Sequence, residues 1–282
     1  MTMLPSAKRN RTLIGNITTL LSGTAFGRLV TILAAPIVAR LFSPEDFGTA
    51  ALIITLSIVL SSISSLSYEF AIVLPADKEQ AFALSRLSLV ILIGFSLLLV
   101  GLAWLILWLD WELAWATTLG DWLFLIPGVV FVLGVGSILR RWGVREKCFK
   151  AMSMGAASGS TITAGTRIGL GTVYGSTVGG LITGYLTGVI ADLYLIARSL
   201  DTRPTTIFNS ACSSLKRAAH RYRNFAIFQS PTALLNAISD QLPVMLLGAL
   251  FNPAVVGFYA IANRLVVLPI GTVGRSVRTV FL

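Results

Sequence analysis

Eight apolar runs divide this chain of 282 residues, at roughly 13–39, 49–66, 87–109, 122–139, 151–174, 177–197, 225–250 and 254–271. Each is about 17 to 25 residues long, the length an α-helix needs to cross the hydrocarbon of a bilayer. Charged residues make up only 12% of the chain against 55% hydrophobic, about half the charge of a soluble domain. The expected fold class is therefore an all-α integral membrane protein, a polytopic helical bundle of about eight transmembrane helices.

Two of the connections between these runs share a skeleton 209 positions apart. Phe42-Ser43-Pro44 is followed at the fourth place by Gly48, and Phe251-Asn252-Pro253 by Gly257. An offset this long makes several helices the repeating unit, as in transporters built from paired bundles. The same offset acts as a ruler. A second unit beginning near Tyr222 needs roughly another 200 residues, of which about 60 are present, by the length of the first unit. The expected organisation is a six-helix N-terminal lobe over 1–200, a basic cytoplasmic linker over 201–224, and the first two helices of an incomplete second lobe over 225–282.

Most of the 22 Lys and Arg residues fall in alternate connections. Lys8, Arg9 and Arg11, then Lys78 and Arg86, then Arg140, Arg141, Arg145, Lys147 and Lys150, then the set from Arg198 to Arg223, and finally Arg275 and Arg278, lie on one side. The opposite side holds only Arg40, and Arg28, Arg167 and Arg264 lie within runs. By the positive-inside rule the N-terminus is cytoplasmic and both copies of the repeat face outward. The net charge of +10 is then a topology signal, and its division among short loops argues against a nucleic-acid partner.

The fifth and sixth runs are rich in glycine. Gly171, Gly175 and Gly179, then Gly180, Gly184 and Gly188, have the small-xxx-small spacing of closely packed membrane helices. No strand precedes them and no Lys-Ser/Thr pair follows, which argues against a phosphate-binding loop. Trp104, Trp108, Trp111, Trp115 and Trp122 surround one outer connection, as interface anchors or as faces on which a sugar stacks. Cys148 and Cys212 lack paired spacing and imply no metal or disulfide, and no cofactor is expected. His220, among arginines, reads as a solvated loop residue.

A resemblance rests on two stretches and their echoes. Arg40-Leu41-Phe42-Ser43-Pro44-Glu45-Asp46-Phe47-Gly48 and Tyr68-Glu69-Phe70-Ala71-Ile72-Val73-Leu74-Pro75 resemble the first-loop and second-loop signatures of bacterial polysaccharide-biosynthesis flippases. These O-antigen-type oligosaccharide flippases belong to the multidrug/oligosaccharidyl-lipid/polysaccharide exporter superfamily. Tyr222-Arg223-Asn224-Phe225, Gln241-Leu242-Pro243, Gly257-Phe258-Tyr259 and Arg264 are similar to the family's seventh and eighth helices. Ser67 stands where many relatives carry a basic residue, so any ion pair that Glu69 makes there must use another partner. Relatives have two six-helix lobes, so the resemblance implies that this chain is a fragment or a C-terminally truncated reading frame.

The resemblance implies a flippase of the cytoplasmic (inner) membrane, moving polyprenyl-diphosphate-linked oligosaccharide outward by alternating access for O-antigen, capsule or exopolysaccharide assembly. Its expected partners are the bilayer, that lipid-linked substrate, and other polysaccharide-assembly membrane proteins. An anionic diphosphate near the midplane calls for fixed cations, which makes Arg28, Arg264 and Arg167 the candidate substrate-binding residues. Arg28 shares a helical stripe with Thr24 and Thr31, and it serves either the substrate path or an interhelical hydrogen bond. Asp240, on a face with Asn236, and Glu69 are candidates for a coupling ion or proton, with ion pairing or interface capping as their alternatives. Asp192, near Arg198 at the inner end of the sixth run, reads as a snorkelling residue or a local ion-pair partner.

Other classes remain in view. A cation-coupled multidrug exporter of the same superfamily shares the architecture. A membrane enzyme acting on polyprenyl phosphates needs clustered acids or a positioned acid–base set, and the acids here are scattered. The expectation is a non-enzyme. The shortened second lobe also raises a polypeptide that is inactive by itself.

Overall fold

The computed structural model describes residues 6–109, 120–201 and 212–263, with the first helix's side chains described from Ser22. Regular structure among these residues is entirely helical. In chain order the helices are α1 Ser6–Leu41, α2 Pro44–Ser61, α3 Lys78–Trp108, α4 Leu125–Arg145, α5 Phe149–Tyr174, α6 Val178–Ser199, α7 Cys212–Arg221, α8 Ser230–Leu250 and α9 Pro253–Asn263. Short 3₁₀ turns at Tyr68–Val73 and Gly120–Phe124 and a π turn at Phe225–Gln229 sit between them. Six of the described helices are long and apolar enough to span a membrane, which makes this an all-α multi-pass membrane protein. α5 has the length, but its Gly, Ser and Thr lower its hydropathy.

Local chemistry starts these helices. Ser43 caps α2, its Oγ accepting from Asp46 N at 3.1 Å, with Pro44 at the first helical position. Thr177 caps α6 in the same way through Gly180 N at 3.2 Å. Asp77 caps α3 through Glu79 N at 3.1 Å, which starts that helix nine residues before the expected run at 87.

The fourth run also extends beyond its expected end at 139, because α4 continues to Arg145. Hydropathy falls at Arg140, but arginine is a good helix former and no proline interrupts the segment. Arg86, Arg140, Arg141 and Arg145 are consequently helix residues rather than loop residues. Within the segment read as a linker, α7 is a helix laid on α3, with Ala218 buried and Ala219 O accepting from Tyr68 Oη at 3.2 Å.

Lipid tails are as apolar as leucine, so helices associate through close packing and polar contacts. Glycine supplies the packing on one side of the bundle. A Cβ at Gly188 would overlap the Thr163 hydroxyl, one at Gly184 would press the stem of Arg167, and one at Gly159 would meet Gly188 O, so α5 and α6 touch almost backbone to backbone. Gly23 and Gly27 of α1 lie as closely on Ser153 and Ser160 of α5. Of the glycines expected to pack closely, Gly184 and Gly188 meet α5, Gly171 and Gly180 meet the Phe42 ring and Gly179 meets Trp122, while Gly175 has open space about it.

Two apolar clusters complete the core. One includes Phe42, Phe47, Ile53, Val130, Leu181 and Val256; the other joins Tyr68, Ile72, Leu84, Trp142 and Ile196. Trp142 is fully buried, stacks on Phe82 at 5.3 Å, and donates from Nε1 to Ser85 Oγ at 2.6 Å. The second cluster marks the basic end of the bundle, where α4 and α6 finish and α3 and α5 begin. Both copies of the repeat lie together at the other end.

Candidate functional site

Two adjoining cavities of about 600 and 580 Å³ run between the helices and share Arg140, Met152 and Tyr185 as walls. The first lies among α1, α4, α5 and α6 and is lined by hydroxyls, including Thr24, Thr31, Ser160 and Thr163, together with Arg167 and Asp192. The second lies among α2, α4 and α8 and takes in Ser61, Ser62, Glu69, Ser137 and Arg141.

Consecutive arginines of α4 hold different partners because a helix turns by about 100° per residue. Arg140 Nη2 donates to Asp192 Oδ2 at 2.7 Å, an ion pair whose cation is 47% exposed in its side chain and whose anion is only 12% exposed. Asp192 fits there because Gly155 has no Cβ; one would overlap the carboxylate. Arg140 sits five residues before the end of α4, roughly 8 Å from that end at the rise of an α-helix. Asp192 thus pairs across the bundle, not with Arg198, which instead reaches Tyr194 Oη at 3.4 Å.

Arg141 turns toward α2 and the 3₁₀ turn, where its guanidinium lies 3.9 Å from the centre of the Phe70 ring. Beside it Glu69 is 3% exposed. Glu69 Oε2 accepts from the Ser65 hydroxyl, and Oε1 from Ser137 Oγ at 3.4 Å. Burial pushes the Glu69 carboxyl above its ordinary range, opposed by the Ser65 hydroxyl, its own backbone, the Arg141 charge and the Ser137 hydroxyl. This corrects the expectation of an interfacial cap, since the 3₁₀ turn folds Glu69 back under α4. Arg141 acts on Glu69 through its charge, while the hydrogen bonds to the carboxylate come from Ser65 and Ser137.

Arg167 is buried, donates from Nε to Leu181 O at 3.1 Å, and still lines the first cavity. Thr24 and Thr31 line that cavity while Arg28, between them on the stripe, is half-buried. Asp240 and Asn236 lie on an exposed face of α8. Asp240 lines neither of the two cavities. Arg264 lies outside the described residues, as do Trp111 and Trp115.

Pro75 is buried and its carbonyl accepts from Arg145 Nη1 at 2.6 Å, while Ile72 O accepts from the same nitrogen at 2.9 Å. Arg40 is exposed in the last turn of α1, and Pro243 is exposed within α8. Sequence reasoning missed Arg140 and Arg141 by counting them as loop charges. The signal that could have found them was helix-permitting sequence continuing from Leu139 through Arg145 with no proline.

The family model described as polysaccharide biosynthesis protein matches residues 37–282. The chain belongs to this family. Its membership carries the loop signatures, the paired glycines and both cavity arginines of α4 within one matched segment. Searches of curated proteins and of solved structures returned no match to the chain. As a polysaccharide biosynthesis protein with several membrane-spanning helices, it has a role in polysaccharide synthesis that is exercised within a bilayer.

Proposed function

We propose that this polysaccharide biosynthesis protein is a flippase that carries a polyprenyl-diphosphate-linked oligosaccharide across the cytoplasmic membrane, with the N-terminus cytoplasmic, to supply O-antigen, capsule or exopolysaccharide. The observation that carries the proposal is the cavity wall made by Arg140, Arg141 and Arg167 beside a row of Ser and Thr hydroxyls. Guanidinium groups suit a diphosphate because they donate in a planar fork to its oxygens. Hydroxyls suit a glycan, which both donates and accepts. Ionisable groups at membrane depth face such interiors and mark substrate paths.

Asp192 gives the cavity a resting partner for Arg140, so an arriving diphosphate exchanges one anion for another instead of desolvating a bare cation. Glu69 is the residue we assign to proton coupling, through its burial and its hydroxyl partners. This is transport rather than catalysis. The exporter of cationic drugs is the weaker reading, because three arginines line the cavities against two carboxylates.

Purified protein in lipid nanodiscs should bind undecaprenyl diphosphate saturably, measured by native mass spectrometry. Arg140→Ala should weaken that binding by roughly 10- to 100-fold, the value of a charged hydrogen bond. Equal binding by wild type and the Arg140→Ala, Arg141→Ala double variant would remove the cavity from the substrate path.

A further inference from the structure

The duplicated skeleton is also one local structure built twice. Ser43 Oγ accepts from Asp46 N at 3.1 Å, and Asn252 Oδ1 accepts from Val255 N at 3.1 Å, three residues on in each case. Each cap is followed by a proline at the start of a helix, Pro44 in α2 and Pro253 in α9, and by a buried glycine four residues later.

These two glycines meet each other's copy. A Cβ built on Gly48 would overlap Pro253 O and stand 3.0 Å from Gly257 N; a Cβ on Gly257 would overlap Pro44 O and stand 3.1 Å from Gly48 N. Residue i touches j as j touches i, the signature of contact about a two-fold axis. The obstacle in each direction is a backbone carbonyl, so no side-chain rotation can relieve it. Below this contact Thr55 Oγ1 donates to Gln241 Oε1 at 3.1 Å, and Gly248 faces Leu52. The copies differ in their aromatic residue: Phe42 is 3% exposed and Phe251 57%.

We infer that the reciprocal contact of Gly48 and Gly257 is a latch that closes the repeat end of the substrate path while the cavities are accessible nearer the basic end. It rests on the flippase reading and adds to it the contact that must part for release. The cavity walls reach Val144 and Ile196, close to the basic end, and neither cavity takes a wall from the first turn of α2 or α9. Two backbones in van der Waals contact leave no passage between those helices. Each turn is preorganised by its own cap and proline, so the helices can separate as rigid bodies without unwinding.

Spin labels on Glu45→Cys and Ala254→Cys, with Cys148 and Cys212 replaced by serine, report the latch by pulsed electron–electron resonance in nanodiscs. The unmodified latch should give one short, narrow distance. Gly48→Ala and Gly257→Ala should each lower that population by roughly tenfold or more, the ratio given by overpacking of about 1.4 kcal/mol. Gly94→Ala, with open space around its Cβ position, should leave it unchanged.

A broad or long distance in the unmodified latch, or no shift in folded Gly48→Ala and Gly257→Ala proteins, would overturn the inference. If either alanine variant fails to fold, cross-linking decides. A short bis-maleimide joining the Glu45→Cys and Ala254→Cys positions should stop flipping of a fluorescent polyprenyl diphosphate in proteoliposomes, while mono-maleimide capping should not; undiminished flipping by the cross-linked protein would overturn the latch. Absence of flipping before cross-linking counts against the flippase reading alone, since the distance measurement reads the latch without substrate.

Discussion

Arg140 and Arg141 are neighbours in sequence and opposites in setting. Arg140 is half exposed and tied to a nearly buried aspartate by one 2.7 Å bond. Arg141 lies on an aromatic ring beside a glutamate already supplied with hydroxyl donors. The first pair is two full charges whose cation remains open to the cavity, so an incoming anion can compete for it. The second is a cation beside an acid that burial biases toward its neutral form. One residue of α4, about 100° of helix rotation, thus separates a cation suited to exchanging anions from a cation set beside an acid suited to holding a proton.

The largest test of this difference is on ligand binding. Arg140→Ala should cost roughly 10- to 100-fold in affinity for undecaprenyl diphosphate, and Arg140→Lys should recover part of it, because lysine keeps the charge but not the fork. Arg141→Ala should cost under roughly tenfold, its cation being spent on Phe70 and Glu69. Equal losses at both positions would erase the distinction. The reverse change sharpens it. Asp192→Asn removes the competitor for Arg140 and should tighten binding by up to about tenfold, whereas a weakened affinity would make Asp192 a support for the cavity rather than a stand-in for the ligand.

Glu69 is tested by pH. Its carboxyl is raised in the folded protein, chiefly by burial, so the fold holds that proton more tightly than the unfolded chain does. The stability this gives is complete below the unfolded value and is lost as pH rises through the folded one. Thermal melts of the wild type should therefore decline across that interval, and Glu69→Gln should flatten the decline. Parallel curves for the two proteins would show that Glu69 does not titrate with folding.

Much of the bundle could be read from residue order, and the limits have physical causes. Apolar runs located the helices, and the glycines of the fifth and sixth runs announced the packed pair in which Gly184 and Gly188 accept Arg167 and Thr163. The repeat foretold two similar connections at one end, but one dimension cannot show that they touch. Hydropathy sees charge and not helix propensity, so it stopped at Leu139 and assigned Arg140 and Arg141 to a loop. Arg28 and Arg167 were legible as intramembrane cations. Their depth was visible; which of them faces a cavity depends on how helices rotate against one another. Glu69 was placed at the interface because its burial comes from the 3₁₀ turn, which has no apolar periodicity to betray it.

The smallest effect concerns what holds Arg141 in place. Its guanidinium lies 3.9 Å from the Phe70 ring centre, and the ring's negative face attracts a cation with about 0.5–1 kcal/mol at partly exposed sites. Phe70→Leu keeps an apolar side chain but removes that face. Arg141, already on the wall of the second cavity, is then freer to turn to a ligand, while Glu69 keeps its bonds to Ser65 and Ser137. We expect a loss of about 1 kcal/mol in stability, a drop of roughly 2–4 °C in Tm for a protein near this size, and a small gain in diphosphate affinity. A loss in affinity as large as that of Arg140→Ala would mean that the two arginines act as one site, and the contrast between them would be a matter of geometry alone.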